Sequence, residues 1–192
     1  MKKRVVITGM GVVSPLGNEI DKFWTNLVAG TNGVTTQDWL VEEGYNATVA
    51  ATAKDELHID EVVDFKEARR MDPFTRYSVH SARAAIKQSG LDTANEDPTR
   101  MGVIIGSGVG GLYTFEEQHA MLIKRGHRRV SPFFIPMMIP DIAAGYVSII
   151  WGLKGPNFSV NSACATAAHA VGLGMRAIRY GDADVMVCGG AD

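Results

Sequence analysis

Residues 157–170 read NFSVNSACATAAHA and join a predicted strand to a predicted helix through Cys164. From Ala163 to Gly174 nearly every residue is small or apolar, so this helix has almost no polar face. A helix that is apolar all round is normally buried all round. We therefore predict a central helix covered on both sides, with Cys164 at its head. The thiol would stand at the carboxyl end of a strand, where sites in α/β sheets lie.

The rest of the chain alternates short apolar runs with helical patterns. Strands are predicted at residues 4–8, 101–106, 158–162 and 185–188, with a further one at 48–53. Helices are predicted over residues 18–29, 73–89, 112–124, 141–151 and 165–180, with Asn18 and Asp141 as N-caps and Gly90 as a stop. This alternation predicts an α/β fold with a largely parallel sheet.

The segment at residues 131–140 is apolar but contains Pro132, Pro136 and Pro140. Proline removes a backbone donor, so neither an interior strand nor a helix interior is expected there. The apolar side chains of a segment without regular structure must be shielded from solvent by other residues. We predict a loop buried at a subunit interface or beside a pocket.

Composition excludes several classes of protein. The 192 residues are 46% hydrophobic, which suffices for one large domain or two small ones. The net charge of -2 gives no general reason to expect nucleic acid as a partner. Two cysteines are too few for a disulfide scaffold, and a reducing cytoplasm fits them. The apolar start breaks at Thr8, too early for a signal peptide, and no run is long enough to span a membrane.

Cys164 is the candidate nucleophile. A thiol at a helix N-terminus faces unsatisfied N–H groups and the positive end of the helix dipole, which favours the reactive thiolate. The alternative is a buried structural cysteine, since free cysteine is among the most buried residue types. The residues alone leave both interpretations of Cys164 open. Cys188 lies in mid-strand and is interpreted as structural.

Other motifs do not predict a cofactor. The Gly9-Met10-Gly11 loop lacks the third glycine and the acidic residue of a dinucleotide fingerprint. The loop at residues 106–111 lacks the lysine of a phosphate loop, so its glycines indicate tight turns and close backbone approach to a ligand or a neighbouring subunit. No histidine pair has metal-ligand spacing with carboxylates or cysteines. His169 is predicted to point away from Cys164 and to pack in the core.

Two basic clusters interrupt an otherwise balanced charge pattern. Lys66, Arg69 and Arg70 have the spacing of one helical face. The second cluster, at residues 124–129, includes Arg128 and Arg129. Both are compatible with ordinary solvated surface or with docking of an acidic partner. Nucleic acid is disfavoured because no aromatic residues are interleaved with the charges.

Five segments of the chain resemble one family, and they occur in the family's order along nearly the whole chain. They are residues 5–17, 106–111, 131–136, 162–166 and 188–192. On these the chain resembles the β-ketoacyl-[acyl-carrier-protein] synthases of bacterial fatty-acid synthesis, most closely type II. The resemblance implies a thiolase-like fold, whose α-β-α-β-α layers arise from two related halves. Residues 1–192 would form the N-terminal half.

The resemblance also implies a decarboxylative Claisen condensation. Acyl carrier protein would deliver an acyl chain to Cys164, and a malonyl group on a second carrier would lose carbon dioxide and attack that thioester. No cofactor is implied beyond the phosphopantetheine of the carrier, and a cytoplasmic homodimer is expected. By matching position, the acyl pocket would include Val109, Phe133 and Phe134. The carrier-docking residues would be Lys66, Arg69, Arg70, Arg128 and Arg129.

The sequence departs from the family in its length. The family's two active-site histidines, its lysine and its gatekeeper phenylalanine belong to a second half that is not in this sequence. We expect the chain to be the N-terminal part of a longer enzyme, and a protein truly ending at Asp192 to be inactive and aggregation-prone. A non-catalytic chain-length-factor-like subunit is an alternative, which Cys164 opposes because those proteins commonly carry glutamine there. A coenzyme A-dependent thiolase or acyltransferase is another, which the docking arginines oppose.

Overall fold

The computed structural model describes residues 3–53 and 57–192. Helices α1 to α8 span, in order, Ile20–Val28, Asp38–Glu42, Phe65–Ala68, Pro73–Ser89, Leu112–Arg125, Phe134–Met138, Ile142–Trp151 and Thr166–Tyr180. Strands β1 to β5 span Thr35–Thr36, Val49–Ala50, Met101–Gly106, Asn157–Phe158 and Val185–Gly190. Short 3-10 turns cover Pro98–Arg100, His127–Arg129 and Ala163–Ala165.

The sheet that carries the fold has the strand order β4-β3-β5, and both pairs are parallel. Strand β3 is central and buried along its whole length, as its uninterrupted apolar sequence predicts. Its pairing with β5 runs from Met101 opposite Val185 to Gly106 opposite Gly190. The predicted α/β fold with a parallel sheet is therefore confirmed. Strands β1 and β2 form a separate antiparallel pair.

Helices cover the two faces of this sheet. Alternate residues of a strand point to opposite faces, and Met101, Val103 and Ile105 of β3 join the core formed with α4 and α7. The other face of the sheet receives α8, whose Gly174 lies against Cys188 of β5. Two layers of helix thus enclose one small sheet.

Helix α4 has the predicted bounds. The side chain of Asp72 accepts a hydrogen bond from the Phe74 N–H at 3.3 Å and caps the helix, and Pro73 occupies the first position. Gly90 ends it with a φ of +68°, in the left-handed region that glycine adopts without strain.

Helix α8 is packed on one face, and residues 3–53 and 57–192 do not provide the predicted cover on its other side. Thr166, Ala170 and Gly174 are buried against the sheet. On the opposite side, Val171 is 48% exposed and Met175 41% exposed. The cause is geometric, because the sheet offers a surface to one side of the helix and the small residues of the other side meet no second layer.

The predicted strand at residues 4–8 is wrong. That segment has no ladder partner among the described residues, and Ile7 is exposed. The following residues run against α4 instead, so closely that a Cβ on Gly9 would lie 2.0 Å from the Ala85 carbonyl oxygen. A Cβ on Gly11 would likewise lie 1.9 Å from the Ser81 carbonyl oxygen. The glycines therefore serve backbone contact with a helix.

Asn18 does not cap α1, although the helix begins close to the predicted position. Glu19 is the N-cap residue, and the Asn18 Oδ1 accepts a hydrogen bond from the Ser14 N–H at 3.2 Å. The Asn18 carbonyl oxygen lies 2.9 Å from Nε2 of the buried His80. Asn18 therefore closes the N-terminal loop and ties it to α4.

Two further segments differ in extent from their prediction. The third strand covers only Asn157–Phe158, because the chain then leaves the sheet to form the turn before α8. The segment at residues 131–140 contains the short helix α6, with Pro136 in its first turn. Proline is tolerated there because the N–H groups of a first helical turn have no intrahelical acceptor. Helix α7 follows with Asp141 as its N-cap residue, as predicted, but without a side-chain hydrogen bond.

Candidate functional site

Cys164 is the middle residue of the 3-10 turn Ala163–Ala165, immediately before α8, and it is exposed. The preceding Ala163 has a φ of +49°. Among the non-glycine residues that the structure describes, it alone has a positive φ. A non-glycine residue in this region costs of order 1–3 kcal/mol and persists only when its surroundings hold it. Strain is therefore stored next to the thiol.

Two backbone N–H groups at the start of α8 already donate hydrogen bonds within the turn. The N–H of Ala165 donates to the Ser162 carbonyl oxygen at 3.1 Å, and the N–H of Thr166 donates to that of Ala163. These two groups are thus paired before any ligand arrives. The thiol precedes the first α-helical turn rather than lying within it, but it remains at the positive end of α8.

Ser162 and His169 flank the turn and are hydrogen-bonded to each other. The Ser162 Oγ lies 2.6 Å from the His169 Nδ1, and the Ser162 N–H donates to the Thr166 Oγ1 at 2.9 Å. His169 is exposed, so its predicted place in the core is wrong. The outer face of α8 is uncovered, so no layer buries the imidazole. The His169 ring turns back toward the loop that contains Ser162.

The glycine loop at residues 107–111 lies beside the cysteine turn. A Cβ on Gly108 would be 3.6 Å from the Ala163 Cα, so the two backbones are neighbours. A Cβ on Gly106, at the end of β3, would be 1.9 Å from the Val160 carbonyl oxygen and 2.5 Å from the Thr166 Cγ2. These glycines approach the chain's own cysteine turn, and side chains here would displace the turn that carries Cys164. Their approach to a ligand or a neighbouring subunit stays a prediction.

Asp192 organises the same loop from the end of β5. Its Oδ1 accepts hydrogen bonds from the Ser107 hydroxyl at 2.5 Å and from the Gly108 N–H at 2.8 Å. The Val109 N–H lies 3.3 Å from the same oxygen, and the Ser107 Oγ accepts from the Gly110 N–H at 2.7 Å. The loop is thereby fixed with the Val109 side chain largely exposed.

The two candidate pocket phenylalanines lie on the segment around α6. The Phe133 ring is covered by the Arg70 guanidinium, whose carbon is 4.1 Å from the ring centroid. The Phe134 ring packs near that of Phe115 on α5, with centroids 6.2 Å apart.

The first basic cluster surrounds the short helix α3. Lys66 and Arg69 are exposed, and the Arg69 guanidinium carbon lies 5.8 Å from the ring centroid of Phe65, itself 78% exposed. Arg70 is half-buried between Phe133 and Glu67, whose carboxylate is 3.9 Å away. The cluster therefore combines two accessible cations, Lys66 and Arg69, with Arg70, which already contacts Phe133 and Glu67.

The second basic cluster is exposed at the end of α5. Arg128 and Arg129 lie in the 3-10 turn His127–Arg129, which packs against α5. Phe133 follows this turn closely in the chain, so the Arg70–Phe133 contact brings the first cluster toward the second. Sequence spacing predicted each cluster but gave no sign of this link.

Cys188 is less accessible than the exposed Cys164. Burial raises the pKa of the Cys188 thiol to about 11, so it stays protonated at neutral pH. Its Sγ fills the space that a Cβ on Gly174 would need, at 2.2 Å. These contacts support the structural interpretation of Cys188.

The described part of the chain holds neither a cluster of metal ligands nor a membrane-spanning helix. No three His, Cys, Asp or Glu side chains are placed to bind a metal ion together. None of the helices is both long enough and apolar enough to cross a lipid bilayer.

Sequence reasoning missed the residues that hold the site together. Asp192, Ser162 and Thr166 act through hydrogen bonds across loops, and His169 acts from the first turn of α8 back to Ser162. Asp72 caps α4 and also accepts from the Thr114 N–H of α5 at 2.9 Å. The sequence does show that these polar residues lie beside a glycine loop or a helix start. Their hydrogen-bond partners, however, are fixed only by the fold.

One family model and a set of curated proteins match the chain over nearly its full length. The model described as "Beta-ketoacyl synthase, N-terminal domain" matches residues 2–192. A 3-oxoacyl-[acyl-carrier-protein] synthase 2 of Staphylococcus aureus (strain N315) is 47% identical over 190 residues, which cover 99% of this chain and 46% of that protein. The protein of the same name from Vibrio cholerae is 42% identical, over 100% of this chain and 46% of that protein. The chain thus spans about half the length of these relatives.

Solved structures share the fold. A type II polyketide ketosynthase, bound to a hexaketide and in complex with its acyl-carrier protein, superimposes with a TM-score of 0.84 at 26% identity, over 100% of this chain and 52% of that one. A β-ketoacyl synthase from Burkholderia phymatum STM815 superimposes with a TM-score of 0.79 at 31% identity, over 95% of this chain and 45% of that one. These superpositions place the described α/β architecture within the ketosynthase fold.

Proposed function

The chain belongs to the β-ketoacyl synthase family, and from that premise we propose that it supplies the nucleophile-bearing part of a 3-oxoacyl-[acyl-carrier-protein] synthase. The observation that carries this proposal is the position of Cys164, exposed on a strained turn at the positive end of α8. A thiol so placed is accessible to a large thioester substrate, and it lies at the end of the helix dipole that attracts negative charge. A buried structural cysteine would have neither property.

In the first step, the Cys164 thiolate attacks the carbonyl carbon of an acyl thioester carried on phosphopantetheine. The bond to the carrier sulfur breaks, the carrier leaves as a thiol after taking up a proton, and the acyl group remains on Cys164 as a new thioester. Covalent capture divides a difficult condensation into two easier steps. We assign this acyl-accepting step to the chain.

In the second step, a malonyl group on another carrier loses carbon dioxide, and the resulting carbanion attacks the Cys164 thioester. The product is a 3-oxoacyl carrier protein, and the Cys164 thiolate is released for the next cycle. No described residue is assigned to the decarboxylation. The chain's own contribution is to hold the acyl group on a turn braced by the glycine loop.

The acyl chain is proposed to pass along Val109, Phe133 and Phe134. The exposure of the Val109 side chain, on a loop fixed by Asp192 beside the cysteine turn, supports this assignment. The phenylalanines add apolar surface on the α6 segment. Carbon–carbon contacts of this kind favour an alkyl chain over a polar substrate.

The basic clusters are proposed to dock the acidic carrier protein through Lys66, Arg69, Arg70, Arg128 and Arg129. The exposure of Lys66, Arg69, Arg128 and Arg129 supports this role, and a similar ketosynthase has been solved in complex with an acyl-carrier protein. We further propose a cytoplasmic homodimer that needs no cofactor of its own. Free cysteines suit a reducing compartment. The exposed Phe158 on the edge strand β4 suits a subunit contact.

The proposed function is tested by detecting the covalent acyl adduct on the protein. The native gene product is incubated with acyl carrier protein bearing a saturated acyl chain, and the acyl adduct is located by mass spectrometry of the intact protein and its peptides. We expect one acyl group on Cys164, its loss in Cys164→Ala, and its retention in the matched control Cys188→Ala. Undiminished acylation of Cys164→Ala would show that the nucleophile has been assigned wrongly.

A further inference from the structure

Ser162 is held at three of its atoms, all within the segment that carries the nucleophile. Its N–H donates to the Thr166 Oγ1 at 2.9 Å, its carbonyl oxygen accepts from the Ala165 N–H at 3.1 Å, and its Oγ lies 2.6 Å from the His169 Nδ1. The contact with the Ala165 N–H lies inside the turn, and the contact with Thr166 ends on the first residue of α8. The third contact reaches further into the helix, to His169.

The residue that follows Ser162 is the strained one. Ala163 has a φ of +49°, and its side chain makes no hydrogen bond that could hold this conformation. A non-glycine residue stays in the left-handed region only where its neighbours over-determine it. The flanking restraints therefore keep the turn, and the exposed Cys164 within it, in this shape.

We infer that His169 is a positioning residue for the nucleophile: through the Ser162 hydroxyl, its Nδ1 locks the strained Ala163 turn and so fixes the direction of the Cys164 thiol. The inference rests on the proposed role of Cys164. It assigns no proton transfer to His169, because the ring nitrogen that the structure engages is bonded to Ser162 and not to the thiol.

A packing role for the imidazole does not account for this geometry. His169 is exposed, so its ring adds little apolar burial, and a short hydrogen bond to a neighbouring hydroxyl is its defined contact. A hydrogen bond between exposed groups adds only about 1 kcal/mol to stability. Its larger effect is on orientation, since a misplacement of about 1 Å costs on the order of 100-fold in rate.

Four variants of the native gene product test the inference. His169→Ala removes the ring, and Ser162→Ala removes the hydroxyl but leaves the two backbone bonds. His169→Asn keeps a polar atom near the Nδ1 position, whereas His169→Gln places it near the Nε2 position. Arg179→Ala, near the far end of the same helix, is the matched control.

Each variant is compared in two reactions at Cys164 and in thermal unfolding. Acyl transfer from the carrier requires an oriented thiol, whereas alkylation by iodoacetamide requires only an accessible thiolate. We expect His169→Ala and Ser162→Ala to slow acyl transfer by about ten- to a hundredfold, with alkylation rate and Tm nearly unchanged. We expect His169→Asn to recover most of the rate, and His169→Gln to recover little. A fifth variant that combines Ser162→Ala with His169→Ala should be no slower than Ser162→Ala alone, because both changes break the same contact.

Three results would overturn the inference. One is acyl transfer that is unchanged in His169→Ala. Another is alkylation that slows as much as acyl transfer, which would make His169 a determinant of thiol ionisation. The third is a double variant in which the two losses add. Acylation that persists in Cys164→Ala would instead refute the proposed function, so the two failures are distinguishable.

Discussion

The guanidinium of Arg70 lies over the ring of Phe133, with its carbon 4.1 Å from the ring centroid. This contact joins the basic cluster around α3 to the apolar segment before α6, two features that are far apart in the chain. A cation over an aromatic face is worth about 0.5–2 kcal/mol, with the higher value where water is excluded. Arg70 is half-buried, so it serves both the packing of Phe133 and the charge of the surface.

Charge reversal at the accessible arginine tests carrier docking. We expect Arg69→Glu to weaken binding of acyl carrier protein, with a larger loss at low salt than at high salt because exposed charges are screened within about 10 Å at 0.1 M salt. Binding is measured by titration at two salt concentrations, with Arg179→Glu as a control on α8. An equal affinity for Arg69→Glu and the unaltered protein at low salt would contradict the docking assignment.

Removal of the shared helix cap should destabilise the protein more than loss of an ordinary cap. The buried Asp72 accepts from the Phe74 N–H of α4 and from the Thr114 N–H of α5. We expect Asp72→Ala to lower the free energy of unfolding by about 2 kcal/mol, since one cap is typically worth about 1 kcal/mol. Denaturant unfolding provides the measurement.

The control for this cap is Asp64→Ala. Asp64 caps only the short exposed helix α3, where it accepts from the Glu67 N–H at 2.8 Å. Its loss should cost about 0.5–1 kcal/mol. Equal losses for Asp64→Ala and Asp72→Ala would contradict the double cap.

A methyl group at Gly174 should collide with Cys188. The added Cβ would lie 2.2 Å from the Cys188 Sγ, and such overpacking typically costs about 1–3 kcal/mol. We expect Gly174→Ala to destabilise the protein and Cys188→Ala to relieve much of that loss in the double variant. The matched control is Gly172→Ala, since no described atom lies within 4 Å of its added Cβ. The same penalty for Gly174→Ala with and without Cys188 would rule out this contact.

The ion pairs of Asp184 predict a dependence of stability on pH. Hydrogen bonds from Arg100 and Lys3 hold the pKa of the Asp184 carboxyl well below its usual value. The folded state therefore favours the carboxylate, so the stabilisation is fully present above the ordinary pKa of about 4 and is lost as the pH falls below it. Asp184→Asn should lower the Tm at pH 7, and the difference from the unaltered protein should shrink in acid.

The measurement for Asp184 is a series of thermal unfolding curves from pH 7 down to about pH 3, where unpaired carboxyls also become protonated. Asp60→Asn, a change at an exposed carboxylate elsewhere on the surface, serves as the control. A Tm difference for Asp184→Asn that stays constant over this range would contradict the prediction.

Elements with a strong local pattern were predictable. The uninterrupted apolar run of β3 and the Asp72–Pro73 start and Gly90 stop of α4 specify their own secondary structure, because each backbone requirement is met by adjacent residues. The segment at residues 4–8 has an equally apolar pattern but no strand partner among the described residues. A strand needs a partner, and periodicity says nothing about whether the fold provides one.

The sequence by itself determined the α/β class, the identity of the candidate nucleophile and the two basic clusters. These properties depend on residue type and on spacing within one element, so they can be recognised without coordinates. The resemblance to a family supplied the chemistry that the local pattern of Cys164 left open.

Only the tertiary structure decided how Cys164 is presented. The strained Ala163, the Ser162–His169 contact and the loop that Asp192 holds through Ser107 bring together groups from separate elements. Such contacts depend on the packing of α8 against β3 and β5, which no local pattern encodes. The sequence could name the thiol, but its direction is set by hydrogen bonds that exist only once the chain has folded.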